Sequence, residues 1–305
     1  RLSIIMIMAP HNNTQRIWFD IGVARHSDFQ VDVADSTDLL VVAMEPTPAS
    51  HDKFKHYIDS HADWKSRWAL VQRACVGSDD GRHEVVMHTH PMPECNSLLP
   101  ATERSDVIVH RGKCIGAASK TTTVPTTTLA PLLRQALAIV ERIELLKIDI
   151  QGLEWPCLEG AGDRLRKVDN IFLEVQDLPR DHTHMMYVDS TTRRGPIHIG
   201  DFDERLGRLG FARQYCEENA ASVREFNCLY TQVGRPPLWV TGRPLRLPRH
   251  HARAVEHNMS TAPKFPWAKW VAPLLTSATP GELDARLPTN PNPCPSKSDP
   301  RCRLQ

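Results

Sequence analysis

The stretch "LLKIDIQGLEWPCLEG", residues 145–160, is the most informative about the fold, because an apolar strand there ends in a carboxylate and turns into a second apolar run. Leu145 and Leu146 belong to a strand that a sheet would bury, so Asp149 lies where the strand meets solvent or a ligand. A carboxylate at that point needs a hydrogen-bond partner or a chemical function. Gly152 allows a tight turn, and the run after it has helical spacing. The stretch predicts a strand, a turn and a helix that packs back on a sheet.

Short apolar runs alternate with helix-like segments along most of the chain, which is typical of βαβ units and a parallel sheet. Predicted strands are "RIWFDI", "LLVVAM", "ALVQRACV", "ELLKIDI" and "NIFLEV". Predicted helices lie in "SHDKFKHYIDSHADWKSRW", "TLAPLLRQALAIV" and "DFDERLGRL". The runs "FARQYCEE" and "EFNCLYTQV" predict a closing antiparallel pair. We expect an α/β, Rossmann-like fold whose seven-stranded sheet is mostly parallel, with an antiparallel edge strand.

Two segments interrupt this rhythm and set the predicted domain organisation. Residues 82–124 are too long for a simple connection and too polar for a core helix, which predicts an inserted hairpin over a ligand site. After residue 233 the sequence becomes proline-rich and loses periodicity, although "FPWAKWVAPLL" could dock on the domain. We therefore predict an extension over residues 1–15, a domain over 16–233 and a tail over 234–305.

The composition argues against several functional classes. Lys and Arg number 37 and Asp and Glu number 36, so the chain lacks the basic field that drives nucleic-acid binding. No apolar run reaches the roughly 20 residues of a membrane-spanning helix. We expect a soluble protein without nucleic-acid partners or a membrane-spanning segment. The oligomeric state stays undetermined, as does the compartment, with the cytoplasm slightly favoured over a secretory-pathway lumen.

The cysteines and histidines predict no metal centre. The eight cysteines include no C-x-x-C pair, which argues against a zinc knuckle or a redox dithiol, and we expect most of them to be small buried hydrophobic residues. Cys294 and Cys302 in the tail could bridge in an oxidising compartment. His88 and His90 share one face of a strand, but no third ligand accompanies them.

Carboxylates close two further predicted strands. Asp20 ends the first strand and Gly22 lies in the turn after it, where doubly wound folds bind ligands. Glu45 ends the second strand, where its carboxylate could accept both hydroxyls of a ribose. Together with Asp149 these acids indicate a nucleoside ligand at the carboxyl edge of the sheet, although Asp20 could instead be a helix cap or a loop acid.

The turn after Asp20 discriminates between two candidate cofactors that contain a nucleoside. A nicotinamide dinucleotide needs a G-x-G-x-x-G turn for its pyrophosphate, and only Gly22 is present here. S-adenosylmethionine carries cationic groups and no phosphate, so a nearby acid suits it better. Ser78 and Asp79 follow the third predicted strand, where they could read an adenine edge or form an ordinary surface turn. The predicted cofactor is S-adenosylmethionine.

The motifs "WFDIG", "VVAMEP", "ECNSLL", "VPTTTL", "LLKIDIQGLEWPCLEGAGDRL" and "IFLEVQ" together resemble the FkbM family of S-adenosylmethionine-dependent methyltransferases. The resemblance covers about residues 16–233. It implies a class I methyltransferase fold and methyl transfer, usually to a hydroxyl oxygen of a sugar, polyketide or other small molecule. The acceptor is thus expected to be a small molecule or a glycan.

The resemblance also implies roles for particular residues. Asp20, Gly22 and Glu45 match cofactor-side positions. The post-strand signature of the family is matched by Asp149, Gly152 and Glu154, although for Glu154 a favourable interaction with a helix dipole is an alternative. The family's usual D-x-G-x-N-x-G turn is altered here, with Ala24 in place of Asn and His26 in place of the last Gly.

Methyl transfer to a hydroxyl depends mainly on placement of donor and acceptor, with a base that accepts the hydroxyl proton late. The candidate bases are Asp149 and then Asp177 and His182 in "VQDLPRDHTHMM", the loop after the fifth strand. A non-catalytic binding module that kept this fold is an alternative function, supported by Ala24 and His26. A nicotinamide-dependent dehydrogenase is a second alternative, which the first turn disfavours.

Overall fold

The computed structural model describes residues 16–61, 64–78, 83–101, 120–177, 187, 198–220 and 225–238. The chain divides into two units, Arg1–Val255 and Glu256–Gln305, and all of the described residues belong to the first. The predicted extension, much of the inserted segment and most of the tail, with its two cysteines and "FPWAKWVAPLL", lie outside the described residues. The domain boundaries therefore stay predictions.

A seven-stranded sheet lies at the centre of the domain. Numbered in chain order, its strands are β1 (Arg16–Ile21), β2 (Leu39–Met44), β3 (Trp68–Val71), β7 (Ile143–Ile148), β8 (Val168–Gln176), β9 (Phe211–Ala220) and β10 (Glu225–Gln232). Their order across the sheet is β3-β2-β1-β7-β8-β10-β9. The first five pair in parallel, and β10 is antiparallel to both of its neighbours. The predicted mostly parallel sheet is confirmed, and its antiparallel strand lies one place in from the edge.

A smaller sheet accompanies the main one. It contains β4 (Ala74–Cys75), β5 (Glu84–Thr89) and β6 (Lys120–Thr127) in the order β4-β6-β5. The predicted strand "ALVQRACV" is thus two strands, because the chain leaves the main sheet after β3 and β4 pairs with the end of β6. Strands β5 and β6 are antiparallel, as the predicted inserted hairpin requires.

The helices follow the predicted crossovers. They are α1 (Gln30–Asp35), α2 (Pro48–Asp59), α3 (Leu129–Ala136), α4 (Glu154–Glu159) and α5 (Ile199–Arg208), and 3-10 turns occupy Pro93–Cys95 and Gly162–Lys167. Helix α1 was not predicted, and α2 is shorter than its sequence pattern. Within the described residues, no helix has the length and apolar character to cross a bilayer.

Apolar side chains pack on both faces of the main sheet, as the period-two pattern of its strands requires. On β1, Phe19 belongs to one apolar cluster and Trp18 to the cluster on the other face. Leu238 is buried in the second cluster although it lies beyond the predicted end of the domain. The core therefore includes at least one residue from the segment assigned to the tail.

Disulfide bonds join cysteines that are distant in sequence. Cys75 pairs with Cys157 and Cys216 pairs with Cys228, at sequence separations of 82 and 12 residues. Cys95 is disulfide-bonded as well. Four of these five, Cys75, Cys95, Cys157 and Cys228, are buried as expected, but their disulfide bonds were not predicted. The Cys75–Cys157 bond depends on which elements meet in the fold, whereas Cys216 and Cys228 are opposite each other in the predicted antiparallel pair of β9 and β10.

Candidate functional site

The carboxyl ends of β1, β2 and β7 border a cavity of about 640 Å³. Strand order reverses at β1, which is the switch point where open α/β sheets bind ligands. The volume lies in the range of small-molecule sites. The polar residues that line the cavity include Asp28, Glu45, Lys147, Asp149, Gln151, Glu174 and Glu225.

The first turn is held against the loop that follows β7. Gly22 has φ +94°, and a Cβ atom on it would lie 1.8 Å from the carbonyl oxygen of Asp149. Glycine is therefore required by both backbone conformation and close approach. Ala24 also has a left-handed backbone, with φ +53°, whereas His26 does not. Of the two departures from the family pattern, only Ala24 carries a conformational cost.

Glu45 supports this turn from the end of β2. Its Oε2 accepts a hydrogen bond from the Ala24 N–H at 2.9 Å, and its Oε1 accepts from the Thr47 N–H at 2.9 Å and from the Thr47 hydroxyl. A carboxylate has about four acceptor positions, so about one remains for a ligand. The expectation that Glu45 accepts both hydroxyls of a ribose exceeds that capacity. Burial raises the pKa of Glu45 to about 7.

Asp20 is fully buried and does not line the cavity. Its fully buried carboxylate accepts a 2.5 Å hydrogen bond from the Ser27 hydroxyl and lies 3.3 Å from the Lys147 Nζ. From the first turn, Asp28 is the acid that lines the cavity. Asp28 was not predicted from the sequence, because it follows the turn in a segment without a periodic pattern.

Lys147 is the cation at the centre of the buried charges. Its Nζ lies 2.8 Å from Asp28 Oδ2 and 3.8 Å from Asp149 Oδ2, in addition to its contact with Asp20. Burial alone would lower the pKa of Lys147, but these carboxylates outweigh it and raise the pKa well above its usual value. Lys147 in turn lowers the pKa of Asp28. The ammonium group therefore stays charged and holds the first turn to the end of β7.

Asp149 is the candidate base that the structure brings into the cavity. Its side chain is 29% exposed, and its Oδ1 accepts a 3.2 Å hydrogen bond from Gln151 Nε2. Burial raises the pKa of Asp149, although Lys147 opposes the shift. Asp177 does not line the cavity and instead acts on the ionisation of Asp203 and Tyr230. His182 lies outside the described residues.

Two further carboxyl groups in the wall were missed by the sequence analysis. Glu174 lies near the carboxyl end of β8, and Glu225 begins β10, whose antiparallel direction brings its first residue to the same edge. Burial, together with Asp149 and Glu225, raises the pKa of Glu174 well above its usual value. The strand-end rule that identified Asp149 could have found Glu174, but Glu225 requires knowledge of the strand direction.

Glu154 closes the loop after β7. Its carboxylate accepts hydrogen bonds from the Ile150 N–H at 3.2 Å and the Gly152 N–H at 3.0 Å. Burial raises the pKa of Glu154 to about 7. Glu154 therefore has a structural role, because these hydrogen bonds hold the backbone of the loop. Gly152, with φ +109°, supplies the turn that the sequence predicted.

Two predicted cofactor contacts remain, Ser78 and Asp79, and the structure describes only Ser78. Ser78 is exposed and lines a separate cavity of about 330 Å³ beside Pro156, so the structure does not bring it to the main site. Asp79 lies outside the described residues. From the inserted segment, Met87, Met92 and Asn96 line the main cavity, so this segment borders the candidate site.

Solved structures with a similar fold include three methyltransferases. Methyltransferase FkbM from Methylobacillus flagellatus KT has a TM-score of 0.40 at 11% identity, and the alignment covers 72% of this chain and 43% of that one. The 1,6-didemethyltoxoflavin-N1-methyltransferase of Burkholderia thailandensis gives 0.38 at 10% identity, covering 72% of each chain. Magnesium protoporphyrin IX methyltransferase from Synechocystis PCC 6803 gives 0.36 at 9% identity, also covering 72% of each. The chain thus spans less than half of the M. flagellatus protein.

The sequence comparisons point to one family. No curated protein matches the chain. The family model described as "Methyltransferase FkbM domain" matches residues 20–193, more than half of the 305-residue chain. The match includes the first turn, the end of β2 and the loop after β7 that build the cavity. The chain therefore belongs to the FkbM methyltransferase family, whose members use S-adenosylmethionine.

Proposed function

We propose that this domain transfers the methyl group of S-adenosylmethionine to a hydroxyl oxygen of a small molecule or glycan. The observation that carries the proposal is the position of Asp149, a partly exposed carboxylate in the wall of a 640 Å³ cavity at the switch point of the sheet. A base is useful to a hydroxyl acceptor, whose proton must leave as the methyl group arrives.

The cavity residues suit the proposed cofactor. Asp28 places a carboxylate with a lowered pKa in the wall, which favours a ligand with cationic groups. Glu45 retains about one acceptor position for a ribose hydroxyl. The first turn has a single glycine at Gly22, which disfavours a pyrophosphate. When bound, S-adenosylmethionine supplies an electrophilic methyl group.

The residues of the chain would then position the acceptor and move its proton. Asp149 accepts the hydroxyl proton at one of its carboxylate oxygens. Lys147 and Gln151 restrain that carboxylate from its two sides, at Oδ2 and Oδ1 respectively. The inserted segment covers the cavity with Met87 and Met92, which limits access of water to the reacting groups.

The Asp149→Asn variant tests this assignment, because it keeps the shape of the side chain and removes its basicity. Turnover is expected to fall on the order of 10²–10⁴-fold, while affinity for S-adenosylmethionine stays near that of the parent. Binding, turnover with a panel of hydroxylated acceptors and thermal melting are measured on one preparation. Asp177→Asn is the matched control, since Asp177 does not line the cavity. Normal turnover in Asp149→Asn with slow turnover in the control would move the base to Asp177.

A non-catalytic binding module is the second candidate function, and the left-handed backbone of Ala24 favours it. A turn that is costly to maintain would bind the cofactor weakly or not at all. Calorimetric titration with S-adenosylmethionine separates the two functions. Saturable binding supports the enzyme, and its absence in a folded protein supports the module.

The disulfide bonds bear on the compartment. Cytoplasmic thiols are kept reduced, and structural disulfides persist mainly in oxidising compartments. The Cys75–Cys157 and Cys216–Cys228 bonds therefore support an oxidising compartment over the cytoplasm that the sequence slightly favoured. Mass spectrometry of thiol-alkylated protein from cells tests this proposal, since alkylation of these four cysteines without reduction would contradict it.

A further inference from the structure

Gln151 has an unusual backbone conformation beside the candidate base. In the part of the chain that the structure describes, Ala24 and Gln151 are the only residues other than glycine with positive φ, and the value for Gln151 is +60°. Such conformations are costly for a residue with a side chain, and they persist only where neighbouring contacts impose them. Contacts with neighbouring residues must therefore hold Gln151 in the left-handed conformation.

Contacts on both sides of the residue impose the conformation. The carbonyl oxygen of Gln151 accepts a 2.8 Å hydrogen bond from the hydroxyl of Ser97, which is buried in the inserted segment. The neighbouring N–H groups of Ile150 and Gly152 both donate to the carboxylate of Glu154. Hydrogen bonds with Ser97 of the inserted segment and with Glu154 of α4 thus both hold the loop.

The side chain that results lies between two acids of neighbouring strands. The Nε2 of Gln151 donates to Asp149 Oδ1 at 3.2 Å and also to Glu174 Oε2. A carboxamide NH₂ group has two hydrogens, so it satisfies both acceptors. All three residues line the same cavity. The neutral carboxamide therefore contacts the candidate base and bridges it to a second carboxyl group, which also hydrogen-bonds to Asp149 directly.

We propose that Gln151 is a positioning residue, whose imposed left-handed backbone holds its carboxamide where it orients the Asp149 carboxylate toward the acceptor. The inference rests on the proposed function, in which Asp149 accepts the proton. Hydrogen bonds from an N–H donor favour the ionised form of a carboxylate. Loss of the carboxamide should therefore misplace the base and also weaken its ionisation.

Several other groups act on Asp149, and the test must leave them in place. They come from the first turn, β7, α4, β8 and β10: Asp28, Lys147, Glu154, Glu174 and Glu225. Substitution at Gln151 leaves all five side chains in place, and it removes the hydrogen bond to Glu174 together with the one to Asp149. A change in the pH dependence of turnover can then be assigned to the lost carboxamide.

The experiment compares Gln151→Gly with Gln151→Ala in the full chain. Both variants lose the donor, but only Gly relieves the left-handed backbone, so the Gly variant should melt at a higher temperature than the Ala variant. Turnover should fall about 10–100-fold in both, with affinity for S-adenosylmethionine near that of the parent. The acidic limb of the pH–rate profile should move to higher pH in both variants. A purely structural role would instead make activity follow stability.

The outcomes separate this inference from the proposed function. Asp149→Asn should abolish the acidic limb, and a limb that survives in that variant would refute Asp149 as the base. If Asp149→Asn abolishes the limb while both Gln151 variants keep the parental rate and profile, the positioning role is wrong and the base stands. Recovery of parental turnover in Gln151→Gly alone would also overturn the inference, because backbone relief would then explain the whole effect.

Discussion

The parallel strands begin at one edge of the main sheet, the amino edge, and end at the other, the carboxyl edge. These two edges carry buried charge in different ways. At the amino edge, Arg16 Nε lies 2.7 Å from Glu144 and Arg142 Nε lies 2.5 Å from Asp169, so each of these acids has at least one cation beside it. At the carboxyl edge, Lys147 is shared among Asp20, Asp28 and Asp149. The same strands thus begin where acidic side chains are paired with arginines. They end where three carboxylates share the cation Lys147.

The difference in charge balance distinguishes the edge of the sheet that borders the cavity. A balanced, partly exposed ion pair can be purely structural. An excess of buried carboxyl groups costs free energy unless protons or a cationic ligand compensate it, and burial raises the pKa of Asp149 and Glu174 accordingly. Such arrangements concentrate at functional sites, which agrees with the cavity at the carboxyl edge.

Removal of one cation from each edge is the strongest test of this difference in charge balance. Lys147→Met leaves three carboxyl groups with no cation between them, and the free energy of unfolding should fall by about 3–5 kcal/mol. Arg142→Met is the matched control, and about 1 kcal/mol is expected because Arg235 Nε remains 3.5 Å from Asp169. Urea unfolding of both variants measures the difference. Equal losses would show that the two edges do not differ energetically.

The carboxyl edge should also make stability depend on pH. Glu154 has a pKa of about 7 in the folded protein and an ordinary value near 4.5 in the unfolded chain, so the folded state binds more protons between these values. The free energy of unfolding should therefore fall as pH rises from about 4.5 to 7, by up to about 3 kcal/mol for this group.

Glu154→Gln keeps an acceptor for the Gly152 N–H and removes the ionisation, so it should flatten the pH dependence of stability. Denaturant unfolding at several pH values gives the slope for parent and variant. Glu45, with a pKa of about 7, leaves a residual slope in the variant. An unchanged slope after the substitution would contradict the raised pKa of Glu154.

The smallest expected effect concerns cofactor affinity at the end of β2. Glu45→Ala removes one acceptor position for a ribose hydroxyl and the support of Ala24, and affinity for S-adenosylmethionine should fall about 10–100-fold. Thr47→Val is the control, because it removes a hydroxyl that contacts Glu45 but does not line the cavity. Calorimetry measures both. Parental affinity in Glu45→Ala would exclude this strand end from the cofactor site.

Much of the fold was predictable because its signals are local. The strands around Phe19 and Leu145 show their buried faces through period-two patterns, and Gly22 and Gly152 mark turns that no other residue fits as well. Asp149 and Glu45 were found because each follows an apolar strand directly. Asp28 and Glu225 were missed, since neither occupies such a position in the sequence.

The amino-acid sequence alone predicts the alternation of strands and helices, the two glycine turns and the acids at the ends of strands, because each depends on residues close together in the chain. The tertiary structure decided that Asp28 and not Asp20 lines the cavity, that Lys147 serves three acids and that Cys75 pairs with Cys157. These facts depend on distances between residues far apart in sequence. Such distances exist only once the strands have paired and the inserted segment has closed over them.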